Sequence, residues 1–220
     1  MRPSFISLGV AVLWIAVASP LAHLDHHLLT AHMVQHLLIM LVAAPLILLG
    51  ARPVTMLWRP HAAFCWLVGA ITVIAWHVPG VFELALRSHG WHVLEQTTFL
   101  AAGSLFWWPV IQPASCIVTW SVPLYLFFAT LPCDALSAFL TFCGHVVYRP
   151  YMYGGGHFGL SPLEDQALAG ALMWVSVTFA YLVPALFVTA KLLSGDFGAP
   201  ASSNLAQPVA RFSSSIRGKS

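Results

Sequence analysis

His32-Met33-Val34-Gln35-His36-Leu37-Leu38-Ile39-Met40-Leu41-Val42-Ala43-Ala44-Pro45-Leu46-Ile47-Leu48-Leu49-Gly50 decides the fold. From Met33 the run is apolar over roughly the 20 residues that a membrane-crossing helix needs. Its first turns nevertheless carry His32 and His36, which a helix sets on one face, one turn apart. Met40 lies one further turn along, drifting off the same stripe. Imidazole and thioether are ligands that soft and borderline metals such as copper prefer. Ionisable groups in a lipid-embedded helix are expensive and face the bundle interior. The stretch therefore reads as a span and, at its polar end, as part of a site.

Composition agrees. The 220 residues are 59% hydrophobic and 7% charged, against about 25% charged in soluble domains. With a mean hydropathy of +0.83, this is an integral membrane protein. Long unbroken apolar runs favour helices over a barrel, whose strands alternate over about 10 residues. A net charge of +2 without a basic stripe argues against nucleic acid as a partner. Cys65, Cys116, Cys133 and Cys143 form no CxxC pair, which disfavours a disulfide framework, a zinc ribbon and a cysteine-based copper chaperone. The anomaly is 11 histidines in so apolar a chain.

Outward from the central stretch, the chain reads as an all-α bundle of about six spans over residues 1–193, followed by a disordered, Ser/Pro/Gly-rich tail over 194–220. The spans run over about Phe5–Leu21, His32–Gly50, Ala62–His77, His92–Ile111, Trp120–Cys143 and Pro162–Leu193. Ala16-Val17-Ala18 also resembles a signal-peptide cleavage site; we read the first run as an uncleaved span. Pro45 predicts a kink in the second span and Pro132 an interruption of the fifth. Val81–Ser88 is short and amphipathic and reads as an interfacial helix. Ser161-Pro162-Leu163-Glu164-Asp165 carries cap, proline and acids in helix-start order.

Positive charge orients the bundle. With both termini inside, the inner segments hold Arg2, Arg52, Arg59, Lys191, Arg211, Arg217 and Lys219, and the outer ones only Arg87 and Arg149. His23, His26, His27, His32, His36, His77, His89, His92, His145 and His157 then fall outside, and only His61 inside. His32, His36, His77 and His92 stand at helix ends of similar depth and form the candidate metal site. Met33, Gln35, Met40, Glu95, Gln96, Asp165 and Met173 are secondary ligands or groups that orient the rings. Each residue also has a plainer reading. A histidine at a helix end bonds a loose carbonyl, methionine fills gaps, and Asp165 caps a helix. The His23–His27 segment reads as a solvated loop. Asp134, an acid inside the fifth span, is left without a role. A bis-histidine haem-b electron carrier and an ion or metal transporter using Asp134 and Asp165 stand as alternatives. Neither a nucleophile elbow nor a Ser-His-Asp order is visible, so no enzyme is expected.

At these residues the chain resembles the CtaG family of cytochrome c oxidase assembly factors, the membrane-spanning kind linked to caa(3)-type oxidases. The resemblance is carried by His32-Met33-Val34-Gln35-His36, Ala44-Pro45-Leu46 with Gly50, Trp76-His77-Val78-Pro79, and His92 to Phe99. It continues through Phe106-Trp107-Trp108-Pro109, Leu160 to Gln166, Ala169-Gly170 and Met173-Trp174. It covers about residues 20 to 190. It implies a bundle in the bacterial cytoplasmic membrane that helps mature a haem–copper oxidase by holding or delivering copper, with oxidase subunits, a copper donor protein and membrane lipid as partners. Two departures stand out: Gln96 occupies a position where the family often has a second histidine, and Asp134 charges a span that is usually uncharged.

Overall fold

The computed structural model describes residues 2–51, 60–111, 120–152 and 159–194. Arg52, Arg59, Cys116, Gly154–Gly156, His157 and the expected tail from residue 195 lie outside the described residues. Within them the chain is helical and has no strand. We number the helices α1 (Pro3–Ala18), α2 (Leu21–Leu24), α3 (Leu29–Gly50), α4 (Ala62–His77), α5 (Pro79–Arg87), α6 (His89–Ile111), α7 (Ser121–Phe142) and α8 (Pro162–Leu193). A 3₁₀ turn spans Arg149–Met152.

Four of these segments are long and apolar enough to cross a membrane: Pro3–Leu24, α3, α7 and α8. A fifth follows if α4 and α5, bent by 76° from one another, count as one broken span. At 16 residues, α4 alone is short. Helix α6 has 23 residues but carries His89, His92, Glu95 and Gln96 in its first half, and these lower its hydropathy. The polar residues that make α6 interesting are thus what keep it from reading as a simple span. Trp14, Ile71, Phe128, Phe179 and Phe187 project outward and are exposed, as a lipid-facing surface requires.

Helix α3 answers its proline by changing winding. Leu38–Ala43 is π-helical, and the Ala44 N–H donates to the Ile39 carbonyl five residues back. In that register Pro45, lacking an N–H, leaves the Met40 carbonyl free. The Trp107 indole N–H fills the gap, donating to the Met40 oxygen at 3.0 Å. The expected kink is therefore a π segment closed by a tryptophan from α6.

Close packing rests on small residues. A Cβ on Gly170 would stand 2.8 Å from the Thr141 nitrogen, so α7 and α8 meet nearly backbone to backbone. A Cβ on Gly103 would meet the Met40 Cα at 3.1 Å, which sets how closely α6 approaches α3. Helix α5 is amphipathic, as expected, and lies across one end of the bundle. It buries Phe82 and Ala85 and leaves Arg87 exposed beside Glu83.

Candidate metal centre

The start of α3 is held by a residue distant in sequence. Leu28, at its N-cap, offers no side-chain cap, so the first amides of the helix need acceptors from elsewhere. Asp165 supplies them. Its Oδ2 accepts from the Leu29 N–H at 2.7 Å and its Oδ1 from the Thr30 N–H at 3.1 Å, while the Thr30 hydroxyl donates to the Asp165 carbonyl at 3.1 Å. Asp165 is therefore a cap, of α3 rather than of its own helix. The start of α8 is capped separately by the reciprocal Ser161–Glu164 pair.

With α3 fixed, His32 and His36 stack inward. Their rings meet edge to face at 4.4 Å, and their Nε2 atoms lie 2.8 Å apart. From α6, Glu95 enters between them. Its Oε1 is 3.4 Å from His32 Nε2 and 3.3 Å from His36 Nε2. All three residues are buried, His32 and Glu95 completely. Phe82 covers His32 at 4.8 Å, and Phe99 stacks on His36 at 4.2 Å.

This triangle is electrostatically incomplete. Neither Glu95 oxygen has a hydrogen-bond partner of sound geometry, and neither does Nδ1 of His32 or His36. One Nε2 proton serves one acceptor, yet two ring nitrogens and a carboxylate oxygen converge. An unpaired buried carboxylate costs several kcal/mol, and a cation at the centre would offset it. The spacing fits. Bonds of about 2.0–2.1 Å to nitrogen and oxygen, in a tetrahedron, put neighbouring donors about 3.3–3.4 Å apart. The two edges to Glu95 have that length; the His32–His36 edge is shorter.

Of the four histidines expected to form one site, His32 and His36 are together and the other two are not with them. His92 sits one turn before Glu95 on α6 and so lies above the triangle. Its Nε2 faces Asp25 Oδ2 at 3.4 Å and Gln35 Oε1 at 3.3 Å, and accepts from Gln96 Nε2 at 3.0 Å. Gln35 is held in turn by donating to the Ala16 carbonyl of α1 at 2.8 Å. His77 donates from Nδ1 to the Val73 carbonyl at 2.7 Å, the helix-end role also foreseen for it. Its Nε2 is buried without a partner. It lines a cavity of about 30 Å³ below the triangle, shared with His36, Met33, Met40, Met173 and Cys133. The three methionines thus surround His36 from beneath. Met33 and Met173 pack with Leu29, Phe82 and Leu140, and Met40 packs in the cluster of Phe99 and Phe106. Asp134 stands apart on α7, half-buried, its Oδ1 unpartnered. His61 is exposed and precedes α4, about 24 Å along the helix from His77.

Sequence reasoning missed Asp25 and the roof. Asp25, placed in a solvated loop, is fully buried. It is the only acid before Glu83, and that isolation within a histidine-rich segment was the available signal. Tyr151 donates its hydroxyl to the Asp25 carbonyl and Tyr148 donates to the His77 carbonyl at 3.0 Å. Burial pushes both phenols well above the ordinary tyrosine range, so they remain donors. Gln166 anchors this loop, accepting from the Val147 N–H at 2.7 Å and donating to the His145 carbonyl at 3.1 Å.

A helical membrane protein with a buried histidine–carboxylate constellation at one end of its bundle is the class these features define. The chain belongs to the family of cytochrome c oxidase caa3 assembly factors (Caa3_CtaG), whose family model matches residues 2–194. No curated protein and no solved structure matches it.

Proposed function

We propose that this assembly factor binds copper at His32, His36 and Glu95 and passes it to haem–copper oxidase subunits on the outer side of the bacterial cytoplasmic membrane. The observation that carries the reading is the convergence of two imidazole nitrogens and one carboxylate oxygen, buried and without enough protons to satisfy one another. Two imidazoles and a carboxylate suit a divalent first-row ion, while thioethers suit copper(I). His36 belongs to both environments, since it closes the triangle and lines the methionine cavity. Copper has chemistry for each; zinc has it for the first alone. The protein performs no catalysis in this account. It holds the ion, and the oxidase subunits and a copper donor protein stand on either side of it.

The haem alternative is poorly supported. Cofactor pockets run to about 300–1,000 Å³, and the cavity beside His36 and His77 measures about 30 Å³. The transporter alternative loses Asp165, whose carboxylate is committed to the Leu29 and Thr30 amides.

The test is complementation of a strain lacking the gene. His32→Ala, His36→Ala and Glu95→Ala should each lower oxidase activity and the copper content of the purified oxidase, with the variant still present in the membrane. His61→Ala and His89→Ala should leave both at the wild-type level. Full oxidase copper in the His36 variant would refute the copper role and leave only that of a scaffold for subunits.

A further inference from the structure

The buried triangle has a neighbour that opens to solvent. Asp25, in the connection between α2 and α3, is fully buried, and neither of its carboxylate oxygens makes a hydrogen bond. Two imidazoles face it: His92 Nε2 lies 3.4 Å from Oδ2, and His26 Nε2 lies 3.7 Å from Oδ1. One donor atom from each of the three residues lies within 4.8 Å of the other two. The His26 side chain is 49% exposed, whereas His92 is buried, so the group has one wet edge and one dry edge. The backbone beneath it is fixed. The Asp25 N–H donates to the Leu21 carbonyl, and Tyr151 holds the Asp25 carbonyl from the opposite side.

The imidazoles also form a graded series. The His26 ring centroid is 5.6 Å from that of His92, His92 stacks on His32 at 5.8 Å, and His32 meets His36 at 4.4 Å. Exposure falls along the same order, from His26 at the surface to His32 in the interior. A buried carboxylate with no hydrogen bond at the mouth of that series lacks positive charge, and one carboxylate with two imidazoles is a donor set for a divalent transition-metal ion.

We propose that Asp25, His26 and His92 form a second, outward-open site for a divalent transition-metal cation, which loads the buried triangle by way of His92. This rests on the copper reading of the triangle. Gln96 is the competitor, since its amide donates to His92 Nε2 at 3.0 Å, and a cation taking that lone pair displaces it.

The probe is cupric ion added to the full-length protein in detergent, with bound copper counted after gel filtration and filling followed by stopped flow. Wild type should hold two copper ions per chain, and His36→Ala with Glu95→Gln should hold one. Asp25→Asn should also hold one, with the triangle filling at least about tenfold more slowly. His26→Ala removes an exposed ring and leaves the core intact, so it tests the site should the Asp25 variant fail to fold. It should weaken the outer ion by more than the roughly 10–100-fold that a supporting group costs. A single ion whose retention and filling ignore both Asp25→Asn and His26→Ala overturns the outer site. So does a second ion that survives both changes. A second ion lost in these variants, with the triangle filling as fast as in wild type, overturns the loading role. One ion lost in Asp25→Asn and kept in His36→Ala refutes the triangle, and the loading role with it, while leaving the outer site standing.

Discussion

Glu95 is the residue on which the site turns. It is a fully buried carboxylate in a helix that would otherwise be an ordinary span. Its oxygen sits 3.3–3.4 Å from two ring nitrogens, so replacing it removes charge from between two imidazoles without touching either. Glu95→Gln takes away a direct ligand on the proposed reading and should therefore weaken copper(II) binding by more than the roughly 10–100-fold that a supporting group costs. Because imidazole must be neutral to ligate, wild-type affinity should fall as pH is lowered and protons compete for the ring nitrogens. Competition with a chelator across pH 5 to 8 checks both statements. Affinity that is flat in pH, or unchanged in the glutamine variant, would remove histidine and Glu95 from the site.

Elements decide which of these residues meet. The i, i+4 pair His32 and His36 was legible because helical spacing alone puts both on one face. The division of the remaining histidines was not legible. It depends on the relative depth of α3 and α6, which is set by the contact of Gly103 with Met40 and by the π segment at Leu38–Ala43. At that depth Glu95 meets the pair and His92 lies a turn above, opposite Asp25. Asp165 was readable as a cap but not as the cap of another helix, since no local pattern ties residue 165 to residue 29. Its two bonds to backbone amides make it the tether of the first turn of α3. Asp165→Ala should cost about 2 kcal/mol, in the upper range for lost caps, and lower Tm by about 4–8 °C. It should also loosen copper binding, since His32 rides on that turn. A thermal scan of the apo protein reads the first effect. A Tm within 1 °C of wild type would mean that the amides of α3 find other acceptors.

For the whole molecule, membrane residence and helical class followed from the scarcity of charge, and the bundle has that class. The polar end was legible as a gathering of histidines; its roof was not. Tyr148 and Tyr151 reach back from the α7–α8 connection to carbonyls at His77 and Asp25, contacts between segments with no shared sequence signal. The orientation expected from the positive charges places this end outside. A cysteine at His26 should then react with an impermeant thiol reagent on intact spheroplasts, and one at His61 should react only after lysis; the reverse pattern would put the site on the wrong side for loading an oxidase from outside. On the proposed function, His32, His36 and Glu95 hold the ion. Copper K-edge X-ray absorption on the full-length Asp25→Asn protein, whose outer site is disabled, loaded with one copper(II) is the deciding measurement. The expected result is a nitrogen/oxygen shell at about 2.0 Å with scattering from two imidazoles, falling to a single imidazole once His36→Ala is added. A first shell dominated by sulfur, or a spectrum unchanged in the His36 variant, would contradict it.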